Sequence, residues 1–436
     1  MRKKFSCFSF LASSFFLVSL LFNQYVLANQ TSITSNTQWE NGQALTTPNN
    51  AQNGAIQPAV SAAPDGKTVI VAYMHKTGSL DNQADPYYFR STQNGKPNTW
   101  SGPSPIYTSG ADSRFVDVTF DASNKAHAVW VEGNNQLWYG KEDDWGSSNP
   151  KNIYSGDLFI EAPRIASSGN NTLNLVWSQQ DFTTDFNIFY ARSTDGGSIW
   201  KDLFNISESS GSSKIPAIAV DSSNYLHVVW EEQVFGSEYE ILYRNSENGG
   251  IDWSPPITIS EAIDVGTSLR AMHQPEIVIS GNTLYVAFEN RPAENEQKAY
   301  LVSCNSSDCT NINQWSGTDI TVQNYSIKNT DPAFLKPQPA LLGGCTMVLF
   351  GGITGTPSPT NNERIRESSS CNNWSSNPTV GGVDAVMGSN VRAIRPSVTT
   401  HNSWWLYLAF ERKESRSDIY FVRNIPALYL PVIIKQ

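Results

Sequence analysis

Short runs of alternating hydrophobic and polar residues dominate the chain. Three of these runs end in tryptophan, AVW at Trp130, LVW at Trp177 and VVW at Trp230. Four similar runs end at Tyr73, Phe288, Phe350 and Phe410. Alternation of this kind predicts half-buried β-strands, and no segment keeps a helical period over three turns. The pattern therefore predicts an all-β protein.

The aromatic runs recur on a fixed period. A proline precedes six of them by 11 to 15 residues, and Val116 takes this place in the remaining unit. From Pro58 to Pro396 there are six steps of about 56 residues each. The intervening prolines are Pro163, Pro216, Pro275 and Pro339. A period of this length predicts a repeat architecture.

Each repeat has the same internal order. The segments PAIAVD and LHVVW are strands joined by the polar turn SSNY. A polar loop, the strand YEILYRNS, a hairpin turn and WSPPITIS complete the unit. Units of four antiparallel strands repeated about seven times form a β-propeller. We therefore predict seven blades of four strands, with six blades as the alternative.

The last repeat stops after its third strand, DIYFVRN, at residues 418–424. The segment TQWENGQALTTP, residues 37–48, is similar to the outer strand WSPPITIS of another unit. We predict that this N-terminal strand completes the last blade and closes the ring. The alternative is that residues 29–50 form a loose arm.

The N-terminus has the features of a targeting signal. MRKK precedes a long apolar run, and VLA ends at Ala28 with small residues at the positions that signal peptidase reads. We predict a signal peptide over residues 1–28, a propeller over residues 29–424 and a short apolar tail over residues 425–436. The alternative for the first segment is an uncleaved membrane anchor. The tail resembles the Tyr-Leu-Pro ending of exported proteins in some bacteria, so we expect a secreted or cell-surface protein.

Charge and cysteine content narrow the partners. The net charge is -10 and no basic stripe is present, which argues against nucleic acid binding. Without Cys7 of the signal segment four cysteines remain, and an even number in an exported chain predicts disulfides. We predict the pairs Cys304–Cys309 and Cys345–Cys371. No spacing of zinc ligands is present, and we expect a monomer without metal or cofactor.

Two hairpin turns share one motif. STDGGSIW at residues 193–200 fits S-x-D-x-G-x-x-W, SENGGIDW at residues 246–253 has Asn248 in the Asp place, and residues 91–100 are a looser copy. This is the Asp-box, and the chain resembles the Asp-box propellers of the sialidase-like superfamily. The Asp can accept backbone N–H groups of the turn and the Trp can pack over the hairpin. We expect structural roles for Ser193, Asp195, Gly197, Trp200, Ser246, Asn248, Gly250 and Trp253.

The resemblance implies that the Asp-box turns lie on the face opposite the active site. The other face then carries the linkers between blades and the loops between second and third strands. Both signs of charge are present there, which suits a sugar, an anionic glycan or a peptide end. The alternative is a solvated rim of charges. The candidate ligand-binding residues are Arg114, Glu132, Lys214, Glu231, Glu232, Arg270, His273, Glu289, Arg291, Arg395 and Glu411.

The resemblance also implies three arginines, a Tyr–Glu pair and an Asp acid if the protein is a sialidase. The first repeat has Gln57 in place of the arginine of the family's R-I-P motif, and SKIPAI has Lys214, which is not equivalent at a bidentate site. Arg270, Arg291 and Arg395 are the candidates for a triad, and the catalytic residues stay unassigned. We expect binding of an extracellular glycan or other polymer. The alternatives are a glycoside hydrolase of the exo-sialidase type and a non-catalytic cell-surface module.

Overall fold

The computed structural model describes the greater part of the repeat region. The described residues are 38–40, 42–46, 54–76, 83–147, 149–169, 171–266, 270–291, 298–305, 308–320, 338–342, 345–353, 363–370, 379–382, 392–401, 405–413 and 417–425. The predicted signal segment and the C-terminal tail lie outside them. No helix among the described residues has the length and apolar character needed to cross a bilayer.

Strands make up nearly all of the regular structure. Three 3₁₀ turns accompany them, at Glu142–Asp144, Ile259–Ala262 and Ile312–Gln314. The strands are, in chain order, β1 (Gln38–Trp39), β2 (Gln43–Ala44), β3 (Ala55–Ala62), β4 (Val69–Lys76), β5 (Ala84–Ser91), β6 (Trp100–Pro105), β7 (Ser113–Phe120), β8 (Ala126–Glu132), β9 (Gln136–Lys141), β10 (Lys151–Ser155), β11 (Ile160–Ser168), β12 (Thr172–Gln180), β13 (Phe186–Ser193), β14 (Lys201–Asn205), β15 (Ser213–Val220), β16 (Leu226–Phe235), β17 (Glu238–Ser246), β18 (Ile257–Thr258), β19 (Met272–Ser280), β20 (Thr283–Asn290), β21 (Lys298–Asn305), β22 (Trp315–Asp319), β23 (Gln338–Leu342), β24 (Cys345–Ile353), β25 (Glu363–Ser370), β26 (Thr379–Gly382), β27 (Arg392–His401), β28 (Trp405–Lys413) and β29 (Ser417–Ile425).

These strands form six four-stranded antiparallel sheets, each built from consecutive strands. We name them blades 1 to 6, and they comprise β3–β6, β7–β10, β11–β14, β15–β18, β19–β22 and β23–β26. A further sheet, the composite sheet, contains β27, β28 and β29 together with β1 and β2. The first strands of neighbouring sheets contact each other in sequence, and β27 contacts both β23 and β3. The fold is therefore a β-propeller whose first strands surround the axis.

The last unit departs from the predicted seven blades of four strands. The described residues form six four-stranded blades, which match the alternative of six and not the preferred seven, because the remaining repeat belongs to the composite sheet of five strands drawn from both ends of the chain. Its outer edge consists of two two-residue strands, with Gln38 opposite Ile425 and Gln43 opposite Phe421. The predicted pairing of the N-terminal segment with the last repeat is thus confirmed. Arg423 Nε donates to Glu40 at 2.7 Å and adds an ion pair to this junction.

The aromatic residues that end the apolar runs of the second strands lie in the core wherever their burial is described. Trp130, Trp177 and Trp230 are completely buried, as are Tyr73 and Phe410. Each packs among apolar side chains of two adjacent sheets; Trp177, for example, lies with Val129 of blade 2 and Leu175 of blade 3. Because the sheets bury both of their faces in this way, the core is a ring of interblade layers.

The Asp-box turns are held by side-chain hydrogen bonds to the backbone, as predicted. Ser193 Oγ accepts the Gly197 N–H at 2.8 Å, and Asp195 Oδ1 accepts two N–H groups further along the turn, each at 2.9 Å. In blade 4, Asn248 Oδ1 accepts the Asp252 N–H at 2.9 Å. The amide oxygen of Asn248 thus replaces one carboxylate oxygen.

The sequence predicted that the Asp-box tryptophan packs over its own hairpin. In the structure the ring of this tryptophan contacts an aromatic ring of the preceding blade. Trp200 packs edge-on against Tyr139 of the preceding blade, with ring centroids 5.3 Å apart. In blade 2, which has no Asp-box, Trp145 has the same role. Equivalent edge-to-face pairs are Trp100 with Phe421, Trp145 with Tyr88, Trp253 with Tyr190, and Trp315 with Tyr243.

Backbone hydrogen bonds define two faces. The Asp-box turn of blade 3 contacts the turn between its first and second strands, since Gly196 donates to the Asn171 carbonyl at 2.8 Å. At the opposite end, Gln180 donates to the carbonyl of Phe159 in the preceding linker at 2.9 Å. We call the first end the Asp-box face and the second the loop-rich face. The linkers between blades and the loops after second strands therefore share one face, as predicted.

A disulfide joins Cys304 and Cys309, which confirms the first predicted pair. It closes the turn after the third strand of blade 5, where other blades have an Asp-box. Trp315 Nε1 donates to the Cys309 carbonyl at 3.0 Å. The second predicted pair, Cys345–Cys371, includes a residue outside the described ranges and stays a prediction.

Candidate functional site

A β-bulge interrupts the first strand in six of the sheets. At each one the register against the second strand shifts. The residue just before the repeat proline, or before Val116 in blade 2, has a φ between 48° and 58°. L-residues rarely adopt this conformation, and bulges re-aim side chains. The six residues are Gln57, Phe115, Ala162, Ile215, Gln274 and Arg395.

These bulges surround a cavity of about 280 Å³, which we call the axial cavity. It is lined by the first strands of blades 1 to 5 and of the composite sheet. Each first strand begins at the loop-rich face and the bulge falls near its start, so the cavity lies at that end of the axis. Its polar lining consists of Gln57, Asp117, Glu161, Arg164, Gln274, Arg395 and Ser397.

Arg164 links two sheets across the axial cavity. Its Nη2 donates to Glu276 Oε1, which joins blade 3 to blade 5. Asp117 of blade 2 lies beside Arg164, and its Oδ2 accepts the Ile165 N–H at 3.0 Å. Burial raises the pKa of Asp117, and the charge of Arg164 opposes this shift. The cavity thus contains an arginine between two carboxyl groups.

Arg395 is the second arginine of the axial cavity. Its Nη1 lies 3.0 Å from both carboxylate oxygens of Glu411, which is completely buried. Glu411 Oε1 also accepts the Gln57 N–H at 2.6 Å, and Gln57 Oε1 accepts the Phe115 N–H at 3.1 Å. A chain of hydrogen bonds therefore connects the composite sheet, blade 1 and blade 2.

Three side chains fix the bulge of the next sheet in place. Each belongs to the residue that directly follows the core aromatic of a second strand. The side chain of each accepts the N–H of the residue with positive φ, which lies one sheet further around the ring. The bonds run from Gln57 to Glu411, from Gln274 to Glu231 and from Ile215 to Ser178, at 2.6, 3.1 and 3.1 Å. Glu411 and Glu231 therefore fix the backbone of two residues that line the cavity, Gln57 and Gln274, without lining it themselves.

Glu132 and Glu232 have a different role, identical in the two blades. Each is buried and accepts hydrogen bonds from serine hydroxyls of the preceding linker and from the tryptophan two residues earlier. The bonds include Ser113 Oγ to Glu132 at 2.7 Å, Trp130 Nε1 to Glu132 at 3.2 Å, Ser213 Oγ to Glu232 at 2.5 Å and Trp230 Nε1 to Glu232 at 2.9 Å. These two glutamates therefore fasten linkers to second strands and do not line the axial cavity.

The arginine triad expected from the sequence is not assembled in the axial cavity. Of Arg270, Arg291 and Arg395, only Arg395 lines it. Arg270 is paired with Glu240, its Nη2 lying 3.0 Å from Oε2, and it donates to the Ser260 carbonyl at 2.7 Å. The second arginine of the cavity is Arg164, which was not among the candidate residues predicted from the sequence.

A second buried group of charges lies between blades 4 and 5. Arg291 Nε lies 2.8 Å from Glu289, which is completely buried, and His273 Nδ1 lies 3.2 Å from Glu231. Burial raises the pKa of Glu289 to about 8; Arg291 opposes the shift and Glu231 adds to it. The Tyr239 ring lies 4.5 Å from that of His273. The sequence predicted that Glu231, His273, Glu289 and Arg291 share one face, and in the structure they form this group.

Arg114 and Lys214 lie nearer to solvent. Arg114 Nε pairs with Asp112 at 2.8 Å. Lys214 Nζ lies 4.0 Å from Glu161 and 3.9 Å above the Phe186 ring. Exposed ion pairs of this kind contribute little to stability, so these residues remain available to a ligand at the rim.

Three exposed aromatic residues lie on the loop-rich face. Phe182 and Phe235 are 88% and 80% exposed at loops after second strands, and Phe159 is 49% exposed in a linker. We call these three residues the aromatic ledge. Phe159 precedes Glu161 of the cavity lining by two residues in sequence. Exposed large apolar groups are found at binding surfaces. The sequence analysis missed this ledge because it followed charges alone.

Comparison with known proteins gives the fold but no closer relative. No protein-family model and no curated protein matches the chain. A Dyadobacter fermentans protein of unknown function aligns with a TM-score of 0.53 and 10% identity over 90% of this chain and 100% of its own. The phage phi92 endosialidase aligns with a TM-score of 0.53 and 11% identity over 92% of this chain and 71% of its own. A mutant Trypanosoma rangeli sialidase with trans-sialidase activity aligns with a TM-score of 0.48 and 12% identity over 89% of this chain and 57% of its own. With four-stranded antiparallel blades and Asp-box turns, the chain is a sialidase-like β-propeller in fold.

Proposed function

We propose that this protein is an exported glycan-binding propeller in which the composite sheet acts as the last blade. The ligand enters the axial cavity from the loop-rich face. The observation that carries the proposal is the polar cavity of about 280 Å³ at that end of the axis. Binding sites of proteins are typically concave, with a few polar groups placed to orient the ligand.

The lining suits a polyhydroxylated ligand. Gln57 and Gln274 bring amide groups, and Asp117 and Glu161 bring carboxyl groups, which together can accept and donate hydrogen bonds to several hydroxyls. The strained bulges are held by interblade hydrogen bonds, so these groups are positioned before a ligand arrives. A rigid, preorganised cavity is what binding of a weakly apolar molecule such as a sugar requires.

The aromatic ledge supplies the apolar part of the site. Sugar rings have one face of C–H groups, which can pack on an aromatic ring while the hydroxyls point elsewhere. In this proposal Phe182 and Phe159, both exposed on the loop-rich face, extend the site outward from the cavity. The ligand is then a chain of sugars, with one residue in the cavity and the next over the ledge.

A glycan array tests this proposal. We expect the purified protein without residues 1–28 to bind a subset of oligosaccharides, and Phe182→Ala to weaken that binding about tenfold. Ile251→Ala is the matched control, because Ile251 is 60% exposed in the Asp-box turn of blade 4, on the opposite face. Retention of no glycan by a correctly folded protein, or equal effects of the two substitutions, would contradict the proposal.

Glycoside hydrolysis is the second candidate function. The observation in its favour is that Asp117 and Glu161 line one cavity and that burial raises the pKa of Asp117, as a general acid requires. Release of a fluorogenic aglycone from sialoside and neutral glycoside substrates would support it. Activity that falls at least about a hundredfold in Asp117→Asn would assign the acid. Glycan binding without any release would favour the binding function.

Export and retention at the cell surface form part of the proposal. The basic and apolar N-terminal segment and the disulfide Cys304–Cys309 both suit an oxidising compartment. Mass spectrometry of the protein recovered from cells and medium tests both steps. We expect an N-terminus at Asn29 and a cell-surface fraction, and a soluble protein with an intact tail in the medium would contradict retention.

A further inference from the structure

Both arginines that line the axial cavity already bind a carboxylate of the protein itself. Arg164 is paired with Glu276, and Arg395 contacts both oxygens of Glu411 at 3.0 Å. Glu411 is completely buried and the Glu276 side chain is 13% exposed. The two guanidinium groups are therefore held in internal pairs, and neither is presented to the cavity as an isolated charge.

Acidic groups outnumber basic groups around the axial cavity. Asp117 and Glu161 line it in addition to the two paired arginines. Lys214 is a further cation, and its Nζ lies 4.0 Å from Glu161. Counting the partners Glu276 and Glu411, four carboxyl groups lie around two guanidinium groups and this ammonium group, so the carboxyl groups are in the majority. The field in the cavity therefore opposes the entry of an anion.

An anionic ligand would have to displace one of the internal partners. Releasing Glu411 from Arg395 leaves a buried carboxylate without its cation, and it also disturbs the bond from Glu411 to the Gln57 N–H. Such unpairing is strongly unfavourable. A neutral sugar has no such requirement, because its hydroxyls can donate to the outward lone pairs of carboxylates that stay paired.

We propose that the axial cavity selects an uncharged sugar and rejects sugars that carry a carboxylate or sulfate. This inference rests on the proposed glycan-binding function. It differs from the expectation that the fold alone suggests, since a likeness to a phage endosialidase at 11% identity says nothing about ligand charge.

Matched oligosaccharides test the inference directly. The probes are neutral galactosides and the same galactosides with a terminal sialic acid or sulfate, measured by calorimetry at low ionic strength. We expect the neutral member of a pair to bind at least about tenfold more tightly. Equal or tighter binding of the acidic member would overturn the inference while leaving the proposed function standing. If neither class binds, the proposed function fails first, and the inference fails with it.

Substitution of Glu276 tests the pairing argument. Glu276→Gln releases Arg164, so we expect binding of the acidic galactosides to strengthen about tenfold while neutral binding stays within about threefold. Glu161→Gln is the matched control, since it removes one charge from the lining without releasing an arginine of the cavity. Equal gains in the two variants would contradict the role of the pair.

The double variant Arg164→Gln, Glu276→Gln removes both members of the pair, so neither is left charged without the other. If Arg164 has no role as an anion ligand, this variant keeps neutral glycan binding within about threefold of the unsubstituted protein. A loss of more than about tenfold, with circular dichroism unchanged, would show that the arginine contacts the ligand and would overturn the inference.

Discussion

Gly197 lies directly against the Tyr139 hydroxyl of the preceding blade, where a Cβ on residue 197 would stand 2.1 Å from the phenolic oxygen. That hydroxyl donates to the Gly196 carbonyl at 3.0 Å and lies 2.7 Å from His127 Nδ1. Gly250 has the same relation to Tyr190 one blade further on. The Asp-box glycine is therefore required by the interface between blades as well as by its own turn.

Gly197→Ala is expected to destabilise the protein by about 2–5 kcal/mol, because it adds a clash with Tyr139 to the cost of a φ of +86°. Gly169→Ala is the control. Gly169 has a φ of +77° but nothing within 4 Å of an added Cβ, so only the backbone cost of about 1 kcal/mol applies. Chemical denaturation measures both. Equal losses would show that the approach to Tyr139 does not matter.

The pair formed by Arg395 and Glu411 is expected to behave as a unit. Arg395→Ala leaves the buried Glu411 carboxylate without its cation and should cost about 3–5 kcal/mol. The double variant Arg395→Ala, Glu411→Gln should recover at least half of this loss, because a neutral amide can still accept the Gln57 N–H. Urea denaturation in a double-mutant cycle gives the coupling energy. Additive effects would contradict a direct pair.

Stability is expected to fall as the pH drops from about 6.5 towards 4. Burial lowers the pKa of His227 to about 4, while the charge of Asp221 opposes the shift. The unfolded chain takes up this proton at about pH 6.5. Because the unfolded state binds the proton first, the stabilisation is complete above pH 6.5 and is lost as the pH falls through this window, by up to about 3 kcal/mol.

The variant His227→Gln checks this pH dependence. It should show a shallower decline of the unfolding free energy between pH 6.5 and 4 than the unsubstituted protein. The comparison of slopes is independent of any loss in absolute stability that results from the missing bond between His227 and Tyr243. Identical slopes would exclude His227 as the titrating group.

Removal of the disulfide is expected to loosen one turn of blade 5. The variant Cys304→Ser, Cys309→Ser opens a loop with a sequence separation of 5 and should lose about 2 kcal/mol. The Trp315 indole donates to the Cys309 carbonyl and contacts Tyr243 of blade 4, so its fluorescence should report the change. A variant with unchanged stability and emission would show that the neighbouring packing alone holds this turn.

Local patterns predicted a large part of the fold. The repeat prolines and aromatic runs located the first and second strands, and the Asp-box located turns such as that of Asp195. The pairing of residues 37–48 with the last repeat and the bond between Cys304 and Cys309 were also predicted. All of these depend on residue types within one strand, one turn or one repeat.

The candidate site was predicted less well, because its contacts cross the ring. Arg164 and Glu276 are 112 residues apart and meet only because blades 3 and 5 face the same axis. The bulges shift the register of the first strands, so the pattern along the sequence did not indicate that Arg164 lines the cavity. Glu231 and Glu411 were expected among the ligand-binding residues. Both are buried behind the lining of the axial cavity, and each accepts a backbone N–H of the next sheet.

The sequence by itself determined the strands, their period, the Asp-box turns and the face on which the charged loops gather. These properties follow from short-range alternation and turn chemistry, which neighbouring residues set. Only the tertiary structure decided which charges meet at the axis and which are paired before a ligand arrives. That outcome depends on the meeting of blades that are distant in sequence and on a register shift in six of the first strands, and neither is encoded in the spacing of residues along one repeat.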